Sequence, residues 1–268
     1  MELQLDGKRA LVTGSTNGIG QAIAIALAGE GAAVIVHGRD AERARSTAGA
    51  ISAAGGTAAA VLGELTDQAG VRSLADAAAA AFGGVDILVN NAASTSDSED
   101  WMAGGPQAWL DLYNANVVSA VRLIGLLTPA MRTAGWGRVI QIGSAAQPYP
   151  LPRQAAYSAT KAALSNLTVS LSKELAGTGV TANTISPGPT STAAFRELAL
   201  VFAHAHGLGD DVDAATHALI TGPLANPSAR LTEPHEIGAL VALIASPLGA
   251  SINGANLRID GGFTPTVN

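Results

Sequence analysis

Tyr157 and Lys161 stand four residues apart in the run Tyr157-Ser158-Ala159-Thr160-Lys161. Helical spacing puts residues i and i+4 on one face, so phenol and ammonium share a surface. A free tyrosine titrates near 10, and about one in a thousand is ionised at pH 7. A neighbouring ammonium favours the phenolate and moves that value toward neutrality. Such a tyrosine gives a proton to a carbonyl oxygen under hydride attack, or takes one from an alcohol. Ser144 lies 13 residues earlier, after an apolar strand-like run, and its hydroxyl is a candidate to hold the same oxygen. A tyrosine–lysine pair at this spacing also occurs on ordinary helix surfaces, so the spacing alone leaves both readings open.

A second cluster is Thr13-Gly14-Ser15-Thr16-Asn17-Gly18-Ile19-Gly20, between an apolar run and a helical pattern. A strand, a glycine turn and a helix start aim backbone N–H groups and a helix dipole at an anion. Gly14 and Gly18 allow a close backbone approach to a pyrophosphate, and Gly20 allows tight helix–strand packing. The spacing differs from the usual G-x-G-x-x-G, and any tight strand–helix connection can use glycines. Its position at the head of a strand–helix–strand unit is what favours a dinucleotide.

The elements that must position these groups follow from the apolar pattern. Short apolar runs predict strands over 10–13, 33–37, 57–62, 86–90, 138–143, 181–186 and 256–259. Between them, apolar residues recur at three- and four-residue spacing, as in Ile19, Ala22, Ile23, Ala26 and Leu27. Continuously apolar strands alternating with helices predict an α/β fold: a Rossmann-like, doubly wound parallel sheet of about seven strands with helices on both faces. No linker divides the chain, so 1–268 reads as one domain, with the candidate dinucleotide turn at its head. Within it, 191–228 is the least regular stretch and reads as a helical, substrate-binding insertion over the carboxyl edge of the sheet.

Composition narrows the function classes. With no cysteine among 268 residues, disulfides, thiolate catalysis and cysteine–zinc sites are excluded. The formal net charge of −6, with scattered Lys and Arg, argues against nucleic-acid partners. No apolar run approaches the ~18 residues of a spanning helix, and the opening Met1-Glu2-Leu3-Gln4-Leu5 lacks a leader's apolar core, so a cytoplasmic protein off the membrane is expected. The histidines (37, 204, 206, 217 and 235) form no ligand motif and read as surface or loop residues, and no metal site is expected. Asp210, Asp211 and Asp213 read as a solvated helix start, and Arg153 as a rim residue.

Taken in order, Thr13-Gly14-x-x-x-Gly18-Ile19-Gly20, Asn90-Asn91-Ala92, Asn116, Ser144, Tyr157-x-x-x-Lys161, Pro187-Gly188 and Asp260-Gly261-Gly262 resemble the short-chain dehydrogenase/reductase family along almost the whole chain. The resemblance implies an NAD(P)-dependent oxidoreductase acting on a small carbonyl or alcohol substrate, with a catalytic tetrad of Asn116, Ser144, Tyr157 and Lys161. In it Tyr157 is the acid/base, Lys161 lowers its pKa and holds the nicotinamide ribose, and Ser144 orients the substrate oxygen. Asn116 places a water linking Lys161 to solvent. Cofactor contacts are implied for Gly14, Ser15, Thr16, Asn17, Gly18, Ile19, Gly20, Arg39, Glu64, Leu65, Asn91, Tyr157, Lys161, Pro187, Gly188, Thr190 and Thr192. Homotetramer or homodimer assembly is implied too, through helices such as the one carrying Val117, Val118 and Val121, which read as apolar on more than one side.

Two positions depart from the family pattern: Ala93 replaces the usual glycine, and Glu64 stands where an aspartate is common. By the same resemblance Gly38 occupies the place of the carboxylate that selects NAD, and Arg39 follows it, so NADP(H) is the expected cofactor and NAD(H) the alternative. Asp40 and Glu42 oppose this by offering Arg39 and Arg43 other partners, and Asn17 stands where many NADP users carry a basic residue. Two other readings remain: an NAD-dependent alcohol dehydrogenase, and a non-catalytic dinucleotide-binding regulatory module. The pocket would draw on 93–98, 145–154 and 191–228, with Tyr149, Leu151, Phe195, Leu198 and Phe202 suggesting a modest apolar ketone or acyl group.

Overall fold

The computed structural model describes residues 2–95, 105–150, 152 and 154–267. Its strands are β1 (Arg9–Val12), β2 (Ala33–Gly38), β3 (Thr57–Leu62), β4 (Ile87–Asn90), β5 (Gly137–Ile142), β6 (Val180–Pro187) and β7 (Asn256–Ile259). They form one seven-stranded parallel sheet in the order β3-β2-β1-β4-β5-β6-β7. The expected fold class is therefore the observed one, and each strand lies within a residue of its expected ends.

Helices cover both faces. α1 (Gly18–Gly29), α2 (Ala41–Ala53) and α9 (Pro234–Ala245) lie on one side; α3 (Gln68–Phe82), α5 (Ser119–Ala134) and α6 (Ala155–Glu174) lie on the other. The alternation of side chains along each strand decides which core each residue joins. On β1, Ala10 and Val12 pack with Ile23, Leu27 and Val241, while Leu11 packs with Leu74, Leu123 and Met131. Full burial of one such leucine contributes roughly 1.5–3 kcal/mol, which is why central strands read as unbroken apolar runs.

The chain reverses direction of travel across the sheet at β1, which pairs with both β2 and β4. Ligands of open α/β sheets bind outside the carboxyl ends of the strands at such a point. At the opposite, amino-terminal end, Arg9 and Asp86 fasten β1 to β4 through a two-point ion pair, both contacts at 2.7 Å. In 191–228 the chain forms α7 (Ala193–Ala205) and α8 (Val212–Thr221), packed on each other through Phe195, Ala199, Ala203, Ala215 and Leu219.

α4 (Gly105–Tyr113) runs through a π-helical turn, Asn114–Val118, into α5. The continuous run Gly105–Ala134 is long and apolar enough to cross a membrane by length and composition alone. Its buried face, with Leu123, Leu127 and Met131 in the core beneath α5, is that of a core helix. Patterning by single apolar runs missed this length because Asp111, Arg122 and Arg132 interrupt it.

Candidate active site

β1 ends at Val12 and α1 begins at Gly18, so Thr13–Asn17 form a turn at the carboxyl edge. Gly14 sits at φ +61°, a left-handed conformation that side chains disfavour. At Gly20 a Cβ would collide with the Gly14 carbonyl oxygen and the Asn91 amide, so this helix residue must lack one. The first turn of α1 has no acidic residue and no side-chain cap, whereas Asp40 caps α2 and Asp67 caps α3. The first N–H groups of α1 thus stay available to an anion in the groove beside Asn17, Ile19 and Gly20.

That groove holds about 710 Å³ and runs along the carboxyl edge of the sheet. It is lined by Gly14, Thr16, Asn17, Ile19, Gly20, Arg39, Glu64, Leu65, Asn91, Ser144, Tyr157, Lys161, Pro187, Gly188, Thr190 and Thr192, all expected from the sequence. Three expected residues lie outside its lining. Ser15 is fully buried; its hydroxyl donates to the Val12 carbonyl (2.7 Å) and accepts the His37 N–H (3.0 Å). Gly18 faces the Thr192 methyl, 3.6 Å from where a Cβ would stand. Asn116 is buried. Asn91 does reach the groove, but its amide donates to the Thr13 and Gly14 carbonyls at 2.9 and 3.0 Å, which makes it a clamp on the turn.

Asn116 occupies the π-turn, and both of its amide hydrogens are engaged. Its oxygen accepts the Ser94 N–H at 2.7 Å, and its nitrogen donates to the Ser94 carbonyl (2.9 Å) and the Thr160 hydroxyl (3.1 Å). Thr160 in turn donates to the Tyr157 carbonyl at 2.7 Å. The side chain thus ties the end of β4 to α6. Ala93 lines the groove without closing it.

The Lys161 ammonium is buried and donates to the Ile142 carbonyl at 2.7 Å; it lies 5.6 Å from the centre of the Tyr157 ring. Burial lowers its pKa to about 8. Burial raises that of Tyr157, and a hydrogen bond with Ser144 opposes the rise. In this arrangement the shift runs opposite to the one expected from the ammonium, which turns to the Ile142 main-chain carbonyl.

At the far end, Arg39 is largely exposed and stands 3.8 Å from Glu64. Glu64 accepts the Leu65 and Thr66 N–H groups, which with Arg39 hold its pKa low. Asp40 accepts the Glu42 and Arg43 N–H groups and pairs with Arg43 at 3.5 Å, so it serves α2 and not Arg39. A Cβ on Gly38 would meet the Thr16 methyl, which fills the space where a discriminating carboxylate would begin.

Sequence reasoning misplaced His37, read there as a surface or loop residue. It is buried on β2 and lines the groove. Its Nδ1 accepts the Gly14 N–H at 3.1 Å and its Nε2 faces the Gly63 carbonyl at 3.2 Å. Both contacts fit only the neutral ring protonated on Nε2, and burial accordingly lowers its pKa. Its place inside a strand was the available signal. Thr13 was missed too: its hydroxyl accepts the Asn91 and Ala92 N–H groups.

A second cavity of about 270 Å³ meets the groove at Ser144, Tyr157, Pro187 and Gly188. Of the expected pocket residues, Phe195 and Leu198 line it, while Phe202 stacks on His206 and packs between α7 and α8. Tyr149 packs edge-on against Phe263, which the sequence did not single out. Leu151, Arg153 and 96–98 lie outside the described residues. His204 pairs with Asp210 at 2.7 Å, and Asp211 caps α8.

Comparison with known proteins adds a third line. Residues 8–200 match the family model described as short chain dehydrogenase. The chain is 37% identical over 264 residues to a 3-oxoacyl-[acyl-carrier-protein] reductase of Vibrio cholerae, covering 97% of this chain and 99% of that one. It superposes at TM-score 0.93, 29% identical and with both chains fully covered, on L-sorbose reductase from Gluconobacter frateurii complexed with NADPH and L-sorbose. It superposes at TM-score 0.84, 29% identical and covering 100% and 98% of the two chains, on a 7α-hydroxysteroid dehydrogenase complexed with NADH and 7-oxo glycochenodeoxycholic acid.

Proposed function

The chain belongs to the short-chain dehydrogenase/reductase family, and on that premise we propose that it reduces a ketone with NADPH, or oxidises the alcohol with NADP+, using Tyr157 as acid/base. It is an oxidoreductase of that family, and its cofactor is a nicotinamide dinucleotide. The uncapped start of α1 and the glycine cradle fit the pyrophosphate; Arg39, Thr16 and Gly38 fit the adenosine end; Lys161, Pro187, Gly188, Thr190 and Thr192 fit the nicotinamide end. When bound, the dihydronicotinamide supplies a hydride, with its two electrons, for the new C–H bond.

The observation that carries the reading is the meeting of two cavities at Ser144 and Tyr157, with Lys161 behind them. Ser144 orients the carbonyl oxygen. Tyr157 gives its proton to that oxygen as the C=O π pair becomes the O–H bond, and regains a proton from solvent. Lys161 holds the nicotinamide ribose. The insertion 191–228 covers the substrate from above. Assembly with further copies would place α5 and α6, where Val121 and Val169 are exposed, at the contact. The test is stoichiometric NADPH oxidation with a ketone panel by wild type and Tyr157→Phe; equal turnover by both rejects the assignment.

NADP(H) preference is supported by Gly38, Arg39 and the diversion of Asp40 to α2. The Arg39–Glu64 pair favours the second reading, NAD(H), because Glu64 competes with a 2′-phosphate for the guanidinium.

A further inference from the structure

The 270 Å³ cavity lies at the small end of ligand pockets. Among the described residues, none that lines it carries a formal charge. Its buried wall is apolar, made by Ala145 and Ala146 after β5, Phe195 on α7, and Phe263 beyond β7. Apart from Ser144 and Tyr157, Thr95 and Gln154 supply its polar side chains, and both are on the exposed side.

Phe263 forms a fixed wall. Its N–H donates to the Asp260 carbonyl at 3.0 Å, and the Asp260 carboxylate accepts the Gly262 and Thr264 N–H groups at 3.0 Å each. That turn holds the ring edge-on to Tyr149, with centroids 5.5 Å apart. A chain extending from a carbonyl at Tyr157 toward this wall leaves water for hydrocarbon. A carboxylate or a row of hydroxyls at its end would lose hydration with no charged partner among the described residues at that wall.

We propose that this cavity selects neutral, largely apolar ketones and secondary alcohols, and that Phe263 limits the length of the chain they carry. The inference rests on the oxidoreductase reading above and adds its substrate class. It differs from what L-sorbose, a polyol, would require of the pocket.

The test uses the full chain with saturating NADPH and 2-alkanones of four to ten carbons, oxo acids of equal length with a terminal carboxylate, and L-sorbose. Neutral ketones are expected to exceed the matched oxo acids and L-sorbose by about tenfold or more in kcat/KM. Phe263→Ala and Phe263→Leu are expected to move the optimum to longer ketones, and Phe263→Trp to shorter ones. Oxo acids or L-sorbose turned over as well as ketones overturn the proposal, and so does an oxo-acid activity that vanishes in Arg153→Ala. A length profile identical in all Phe263 variants that bind NADPH overturns the role of Phe263. Calorimetry of the NADP+-loaded protein with 2-alkanols separates the two readings. Selective binding of alkanols without any turnover rejects the reaction and retains the pocket, whereas turnover with indifference to charge rejects the pocket alone.

Discussion

Stability and activity of the wild type should respond to pH in opposite ways, and replacing Lys161 with methionine should abolish the stability response. The ammonium is buried, and burial brings its pKa to about 8, against 10.5 for a free lysine. The unfolded chain therefore binds more protons than the folded one between those values. Wild-type stability should rise with pH across that window and be flat below it. The gap is worth about 3 kcal/mol, at roughly 1.4 kcal/mol per pH unit. Lys161→Met removes this linkage but orphans the Ile142 carbonyl, which now accepts the ammonium at 2.7 Å, at a cost of about 1–3 kcal/mol. The two effects nearly cancel at pH 7, so the variant should lie within about 2 kcal/mol of wild type there. By pH 10 wild type should have gained most of the ~3 kcal/mol on the variant. Over the same interval wild-type kcat/KM for reduction should fall above about pH 8, as the cation that holds the ribose is lost. Urea unfolding of both proteins at pH 7, 8, 9 and 10 measures the first effect, and NADPH oxidation the second. A stability difference that stays constant from pH 7 to 10 would refute the buried-cation argument.

Tyr157→Phe should keep the fold and cofactor affinity while turnover falls by about two to four orders of magnitude; stopped-flow NADPH oxidation and fluorescence titration separate the two. Arg39→Ala should lower kcat/KM about 10- to 150-fold with NADPH and much less with NADH, the worth of one charge-assisted bond; an equal loss with both would remove Arg39 from discrimination. His37→Phe should weaken both cofactors alike, by about tenfold, because the Gly14 N–H loses its acceptor, and His37→Gln should restore part of the affinity. Burial depresses the His37 pKa, so its contribution to stability is present above the unfolded value near 6.5 and declines as pH falls through that value toward the folded one; urea unfolding of wild type and His37→Phe from pH 7 to 5 measures this difference. Sedimentation at micromolar concentration should show more than one copy per particle, and a stable monomer would leave the exposed Val121 and Val169 without the proposed role.

The order of elements was legible in the sequence because both its signals are local. Apolar runs such as Ala33–Gly38 have one state compatible with a doubly covered sheet, and a glycine turn fixes where a strand hands over to a helix. Residue chemistry at fixed spacing pointed to Ser144, Tyr157, Lys161 and the glycine turn, since a strand end and an i, i+4 pair leave little freedom of placement, while the rest of the groove lining followed from the family resemblance. What escaped the sequence depends on partners remote along the chain. His37 became a buried neutral ring only because Gly14 and Gly63, 23 and 26 residues away, supply its two hydrogen bonds. Asn116 became a tie because Ser94 and Thr160 converge on it. The direction of the Tyr157 shift was set by its burial, and the Lys161 ammonium meets the Ile142 carbonyl, 19 residues away. Phe263 reached the second cavity only through the turn that Asp260 closes after β7. Local pattern thus determined which groups are present and on which elements; hydrogen-bond partners, burial and proton affinity were decided by tertiary structure, because they depend on what the fold brings within about 3 Å, the length of a hydrogen bond.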